Sequence, residues 1–455
     1  MPFQFLRYLQ PTHYFRLLTK AGFSAFPEVD ALPQSVLDQL QVDTRYTSKY
    51  AQDYDLSWQA VQSGFIGDIA HYRGFETVSL RDNYHFIRKQ FHPVWVFYVL
   101  VMRLVTFNNP IADIRAWFQT SDTTRTKAIN PIQYPDWKPY HSKLLAEKPL
   151  VSVVIPTLNR YEYLKDVLQD FEKQDYQYFE LIIVDQSEPF QPDFYKNFDV
   201  PIRLIRQEEK ALWLARNTAI RAAKGTLIAL SEDDVRIQPD WLSCHIKALD
   251  YFDAQVSAGV FYPEGQYIPK KRSFFAVATQ FATGNAMLYK TVFEEVGLFD
   301  RQFEKQRMGD GEFGARIYLA DIRSISNPYA SCIDVKAGTG GLREMGSWDA
   351  FRPSTFFAPR PIPSVLYYFR TYYGNQAARW ALLRTIPTSI LPYQFKTNRL
   401  LLVVGVFLSL LLLPVILVQV FSSWRLASRK LAEGDRIDCL EWKLKSEALR
   451  EKSGK

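Results

Sequence analysis

From Leu400 to Phe421 the chain carries no charged residue, and an apolar run of about 20 residues is long enough to cross a hydrocarbon layer as a helix. The backbone groups of such a segment must be satisfied within a helix or a protein-lined hairpin. Pro414 offers a break, so a transmembrane span and a re-entrant turn both stand. Either geometry attaches the chain to a membrane. Lys396 and Arg399 precede the segment and Arg425, Arg429 and Lys430 follow it, so basic residues on both flanks leave its orientation open. Upstream, residues 362–395 are rich in Tyr, Arg and Trp and contain Pro387 and Pro392, a pattern expected of interfacial helices in the headgroup region. Downstream, residues 431–455 read as a charged amphipathic helix.

At 455 residues the chain exceeds what one hydrophobic core serves, so two folded units with appendages are expected. Its 55 basic and 48 acidic residues give a net charge of +7. That charge is spread along the chain and forms no polybasic arm, so nucleic acid is not an expected partner, whereas an anionic leaflet is compatible. Cys244, Cys332 and Cys439 form no Cys-x-x-Cys pair, which points to a reducing compartment. The first residues lack an apolar stretch followed by a small-residue cleavage site, so no secretion signal is expected. Val94 to Phe107 is apolar but interrupted by Arg103, as in a core or interfacial helix. Pro131, Pro135 and Pro139 read as a linker.

From Leu150 short apolar strands alternate with amphipathic helices: Val151 to Ile155, Leu181 to Val184, Ile202 to Ile205 and Leu227 to Leu230. This predicts an α/β domain with a mainly parallel central sheet. Ligands of such sheets bind beyond the carboxyl ends of the strands. After the first strand stands Pro156-Thr157-Leu158-Asn159-Arg160, after the second Asp185-Gln186-Ser187, and after the last Ser231-Glu232-Asp233-Asp234. Three adjacent carboxylates repel one another unless a cation or strong donors are present. Oxygen ligands of this kind suit Mg2+ or Mn2+; a solvated turn is the plainer reading of the same residues.

Taken in order, Val151-Ser152-Val153-Val154-Ile155-Pro156-Thr157, Leu181 to Asp185, Ala215-Arg216-Asn217 and Glu232-Asp233-Asp234 resemble the motifs of family 2 glycosyltransferases. The resemblance covers roughly Leu150 to Arg343. It implies a GT-A-type fold that binds a nucleotide-sugar. By the same resemblance Thr157, Asn159, Arg160, Asp185, Arg216, Glu232 and Asp233 would hold the nucleotide-sugar, and Asp234 would ligate the metal. Glu232 departs from the usual aspartate. Gly284-Asn285-Ala286 is similar to the acceptor-side segment, and Met308-Gly309-Asp310-Gly311-Glu312 matches the Glu-Asp motif with Gly309 replacing its glutamate. Asp310 is therefore the expected catalytic base, with a helix N-cap as its structural alternative, and Gly284, Asn285 and Glu312 lie on the acceptor side. Asp334 stands where relatives often carry a metal-binding histidine, and Lys336 and Arg343 would meet the diphosphate from a glycine-rich lid. Gln376-Ala377-Ala378-Arg379-Trp380 resembles the Gln-x-x-Arg-Trp signature of processive synthases, which implies a further acceptor contact through Gln376, Arg379 and Trp380.

The expected organisation is an N-terminal accessory region at 1–148, a glycosyltransferase domain at 149–345 and interfacial helices at 346–398. A transmembrane or re-entrant segment at 399–422 and a charged amphipathic tail at 423–455 complete it. The expected function is inverting transfer of a sugar from a nucleotide-sugar, a UDP-sugar by resemblance, to a glycan or lipid-linked acceptor. The catalytic domain would face the cytoplasm at the cytoplasmic membrane, with a partner subunit or homo-oligomer left open. A processive polysaccharide synthase subunit, a glycoside hydrolase and a non-catalytic scaffold retaining the fold are the alternatives.

Overall fold

The computed structural model describes residues 1–126, 130–337, 341, 350–352, 355–392, 395 and 398–440. The chain forms two compact units. One comprises residues 1–133 with 350–427, the other residues 134–349 with 428–455. The segments expected to stand apart as an accessory region and as C-terminal membrane helices thus contribute to one unit, and the proline-rich stretch contains the division.

The second unit is built on a nine-stranded sheet. Its strands are β1 (Val151–Thr157), β2 (Phe179–Asp185), β3 (Ile202–Arg206), β4 (Leu227–Ser231), β5 (Val235–Ile237), β6 (Val256–Pro263), β7 (Ala276–Val277), β8 (Asn285–Tyr289) and β9 (Ser324–Asp334). The order is β3-β2-β1-β4-β8-β6-β9-β5, with β7 on β9. Every residue of β1 and β4 is buried, as expected of parallel strands covered on both faces. The helix Tyr161–Glu172 buries Leu164, Val167, Leu168 and Phe171, an i, i+3, i+4, i+7 stripe that packs on the sheet.

The expected mainly parallel sheet requires correction. β3, β2, β1 and β4 run parallel, but β8 is antiparallel to both β4 and β6, and β9 is antiparallel to β5 and β7. The result is a mixed, GT-A-like α/β sheet. The register of β6 against β9 shifts between Gly259 and Phe261. There the Asn285 carboxamide approaches so closely that a Cβ on Gly259 would lie 2.1 Å from its Oδ1.

Asn285 organises a buried polar network beneath the sheet. Its Oδ1 accepts from Trp241 Nε1 at 2.9 Å and lies 3.1 Å from His245 Nε2, while its Nδ2 donates to the Ala330 carbonyl at 3.0 Å. With Oδ1 accepting, His245 Nε2 carries the proton and Nδ1 faces the Ser257 hydroxyl at 2.8 Å. The neutral imidazole is the form that fits.

In the first unit the apolar segment, expected as a span or a re-entrant turn, is broken. Among the described residues no single helix is long and apolar enough to cross a membrane; Leu400–Leu411 and Leu413–Glu433 form an apolar pair bent by 83°. The expected interfacial stretch is a helix, Pro363–Thr385, interrupted at Gly374 with φ 78°. Its first half, from Pro363 to Phe369, is buried within the unit and does not lie on its surface. Over the described residues 431–440 the tail, expected as an amphipathic helix, is largely non-helical. Helix ends at Glu433, and residues 434–440 run non-helically along the second unit, where the Leu298 amide donates to the Asp438 carbonyl at 2.9 Å and the Arg436 amide to Asp300 Oδ1 at 3.0 Å. Residues 441–455 lie outside the described residues.

Burial pushes the His245 imidazole from 6.5 down to about 3. The unfolded chain takes up this proton near 6.5, whereas the folded chain resists it. Stability is therefore complete above that value and declines as pH falls towards about 3, by up to about 1.4 kcal/mol per pH unit from this group. Urea denaturation at pH 7.5 and pH 5 should show a smaller pH-dependent loss for His245→Gln than for the unaltered chain; equal losses would remove His245 as the cause.

Candidate functional site

The carboxyl ends of β1, β2 and β4 converge on two side-by-side clusters. At the first, Asn159 adopts a left-handed backbone with φ 54°, a conformation asparagine tolerates better than most residues. It clasps the loop after β2: its amide donates to Ser187 Oγ at 2.7 Å, and its Oδ1 accepts from the Glu188 amide at 2.8 Å. These two loops border an open cleft of about 510 Å³, lined in part by Asn159, Arg160, Tyr161, Glu188 and Gln191.

Thr157 and Asp185 are register partners at the floor of this region, and both are fully buried. Asp185 accepts from the Tyr161 hydroxyl at 2.7 Å, the Tyr195 hydroxyl at 2.8 Å and the Ser187 amide at 2.8 Å. Both of its oxygens are thus engaged within the protein, and its carboxylate in turn helps push the Tyr195 phenol well above its ordinary value, after burial itself. Tyr161 and Tyr195 were missed from the sequence: a tyrosine beside a turn carries no signal until the fold aims two hydroxyls at one carboxylate.

The second cluster is the acidic triplet after β4. Arg160 Nη1 lies 2.9 Å from Asp233 Oδ1 and 3.0 Å from Asp234 Oδ2, and the Ala337 amide donates to the same Asp234 oxygen at 3.2 Å. Burial, then Glu232 and Asp233, push the Asp234 carboxyl up to about 7, with Arg160 pulling against them. Burial likewise raises Asp233. One guanidinium therefore offsets the crowding only partly, and the pocket favours additional positive charge.

Asp334 lies beside this cluster, because it is the register partner of Val235 and the Val335 amide donates to the Asp234 carbonyl at 3.2 Å. Its Oδ1 accepts from the Lys336 amide at 3.1 Å, and the Lys336 side chain is exposed. Further along, Gly341 has φ 92°, its amide donates to the Leu158 carbonyl at 2.9 Å, and a Cβ there would lie 2.5 Å from Arg160 Nη2. The backbone thus crosses Arg160 where a side chain has no room. Arg343 lies outside the described residues.

On the other side of the triplet, Glu232 reaches over Gly284, where a Cβ would lie 2.5 Å from the Glu232 carboxyl carbon. Arg216 is fully buried; its Nη2 is 3.4 Å from Glu232 Oε1, and its Nη1 donates to the Thr283 carbonyl. The Thr283 hydroxyl donates to Asp310 Oδ1 at 2.8 Å. One connected chain therefore joins Glu232, Arg216, Thr283 and Asp310, with Thr283 the member that sequence motifs did not reveal. Asp310 lies in the first turn of the helix Gly309–Leu319, whose N-cap is Met308. It is therefore not the cap. Gly309 is buried against Trp213; a Cβ there would lie 2.3 Å from the indole Cζ2.

Of the other expected acceptor-side residues, Asn285 and Glu312 are engaged by neighbouring side chains and backbone, and three lie in the first unit. Asn285 is fully buried, and its carboxamide is taken up by Trp241, His245 and Ala330 as described. Glu312 is buried and binds Arg316 through both oxygens at 2.7 and 2.9 Å, and Arg316 in turn donates to the carbonyls of Val296, Gly297 and Leu298. Gln376, Arg379 and Trp380 belong to the first unit. Trp380 packs edge-on against Tyr8 at 4.9 Å, Arg379 lies 5.8 Å from the Trp424 ring, and Gln376 is exposed.

Among the described residues no group of three or more His, Cys, Asp or Glu side chains is arranged to hold a metal ion. An all-protein cage is absent among them, but Asp234 with Asp334 nearby offers the sparse, oxygen-only donor set that Mg2+ or Mn2+ uses when phosphates and water complete the shell.

Comparison with known proteins adds an independent line. Residues 152–299 match the family model described as glycosyl transferase family 2. The glycosyltransferase GlyA of Streptococcus pneumoniae is 25% identical over 35% of this chain and 22% of its own length. The putative glycosyltransferase EpsH of Bacillus subtilis is 34% identical over 21% of this chain and 29% of its own. This chain thus spans less than a third of either relative. Among solved structures, a mannosyltransferase of Pyrobaculum calidifontis in complex with GDP-Man and Mn2+ is 17% identical with a TM-score of 0.38, covering 64% of this chain and 80% of that one. By the family match, and by the motifs at the ends of β1, β2 and β4, residues 152–299 are a glycosyl transferase family 2 domain.

Proposed function

We propose that the chain is an inverting glycosyltransferase that moves a sugar from a nucleotide-sugar donor, a UDP-sugar in the best-supported reading, to a glycan or lipid-linked acceptor at the cytoplasmic face of a membrane. The observation that carries this reading is the carboxylate cluster after β4, which is joined on one side to Arg160 and on the other, through Glu232, Arg216 and Thr283, to Asp310.

In this reading the nucleoside enters the cleft beside Asn159 and Tyr161, and Arg160 and Lys336 meet the diphosphate. Arg343 would join them from the same loop. Asp234, with Asp334, would hold a divalent ion that neutralises charge on the departing diphosphate. Asp310 accepts the proton of the acceptor hydroxyl while its oxygen bonds to the anomeric carbon and the bond to the diphosphate breaks from the opposite face, inverting that centre. Thr283 fixes the Asp310 carboxylate through one oxygen, leaving the other for the acceptor.

Asp310→Asn should keep the fold and the affinity for the nucleotide but lower turnover by about 10²- to 10⁴-fold. The measurement is release of nucleoside diphosphate from a panel of nucleotide sugars with membrane lipid extract as acceptor. Equal turnover by both proteins would remove Asp310 as the base, and nucleotide binding without turnover by either would favour the scaffold alternative.

A second test addresses the ion without using turnover. Mn2+ with nucleoside diphosphate should raise the melting temperature of the unaltered chain; Asp234→Asn should abolish most of that rise, and chelator should reverse it. A rise that survives the substitution would place the ion elsewhere.

A further inference from the structure

The first unit carries an inverted pair of helices, Pro93–Val105 and Pro110–Gln119. On the first, Val94, Phe97, Val101 and Val105 are exposed; spaced at i, i+3, i+7 and i+11, they make one continuous face. On the second, Ile111 and Phe118 are 79% and 68% exposed, and Phe107 in the connection is 97% exposed. Two charged residues of the pair, Arg103 and Asp113, point the other way. Arg103, which interrupts this apolar stretch, is buried and ion-paired with fully buried Asp113 of the second helix, and the Tyr84 hydroxyl donates to the same carboxylate at 2.9 Å. Water-facing helices bury apolar groups and expose charge; this pair exposes seven large apolar side chains to one exposed charge, Arg115, whose long stem lets its guanidinium reach the headgroup level.

Two features identify what covers the face. Trp95 and Trp117, both half-buried, each have a guanidinium over the ring: Arg384 at 5.0 Å from Trp95 and Arg88 at 4.2 Å from Trp117. Tryptophan beside arginine suits the level where acyl chains give way to headgroups. Through Trp95 and Arg384 the pair is also joined to the helix Pro363–Thr385, and the same unit holds the apolar helix Leu400–Leu411, whose Leu400, Phe407 and Leu411 are exposed as well.

We infer that the 93–118 helix pair is a bilayer-contact surface, with Phe97, Phe107, Ile111 and Phe118 entering the acyl-chain region. The inference rests on the membrane part of the proposed function and is independent of the transferase chemistry. It gives the N-terminal region a role: holding the first unit on lipid through a surface separate in sequence from the C-terminal apolar pair.

The test uses the 455-residue chain with Cys244→Ser and Cys439→Ser, labelled with an environment-sensitive fluorophore at Phe107→Cys, at Phe407→Cys, or at Tyr267→Cys as an exposed control. Vesicles of phosphatidylcholine and phosphatidylglycerol, with or without acyl-brominated lipid, are added. The Phe107 label should shift to the blue and be quenched by brominated chains, and the Tyr267 label should not respond. Ile111→Glu with Phe118→Glu, both at exposed positions, should weaken vesicle binding at least about tenfold, because two apolar anchors are lost to charge. Quenching at Phe407 with none at Phe107 would overturn the inference while leaving membrane attachment intact. Quenching at Phe107 alone would uphold it and remove the C-terminal pair as the anchor. A blue shift at Phe107 without vesicles that grows with protein concentration would show a second copy on this face and overturn the lipid assignment.

Discussion

Like charges forced together at the carboxyl end of β4 set the terms for the catalytic unit. Glu232, Asp233 and Asp234 are consecutive, and two of them are buried. Such an arrangement persists only where cationic groups and backbone donors are built around it. Arg160 arrives from the loop after β1, Arg216 from the helix Leu212–Ala222, and the Ala337 amide from the segment after β9. Three distant parts of the chain are thereby brought to one point by electrostatics. Burial and the two neighbouring acids still hold the Asp234 carboxyl above its ordinary range, with Arg160 pulling against them.

The sheet supplies the rigidity this crowding demands. β1 and β4 are covered on both faces, and the antiparallel β8 continues from them into the segment that carries Thr283 and Gly284 next to the triplet. Below, the Asn285 network ties β8 to the helix Trp241–Tyr251 and to β9. The loops bearing the polar groups can be irregular because the strands they leave are not. The extended segment at 434–440 adds a further restraint by pairing with the backbone around Leu298 and Arg301.

The parallel half of the sheet was legible because strands buried on both faces are written as unbroken apolar runs, and β1, β2 and β4 are such runs. β5, β7 and β8 are short, and β8 begins with a buried asparagine, so apolar periodicity does not announce them. At the site, the triplet, Asp185 and Asp310 stood out as acids at strand and helix ends. Asn285 and Glu312 shared that prominence, yet their partners, such as Trp241 and Arg316, convert them into supports for the core. Sequence spacing alone does not separate a polar residue aimed at a ligand from one aimed at a neighbouring strand. Arg103 was visible as an interruption of an apolar helix, but its partner Asp113, ten residues on, was not.

The departure at Gly309 has a consequence for how such a chain can change. The space that a side chain at 309 would enter is filled by the Trp213 indole, whose Nε1 is itself anchored to the Phe303 carbonyl at 3.0 Å. Two positions almost a hundred residues apart share one volume, so neither can change size alone. A glutamate at 309 while Trp213 remains would overpack the helix start, and a smaller residue at 213 alone would leave a void beside the Asp310 turn. Both single steps pass through a less stable protein. The size of the residue at 309 and that of the residue at 213 are therefore coupled, and with them the packing at the start of the helix that carries Asp310.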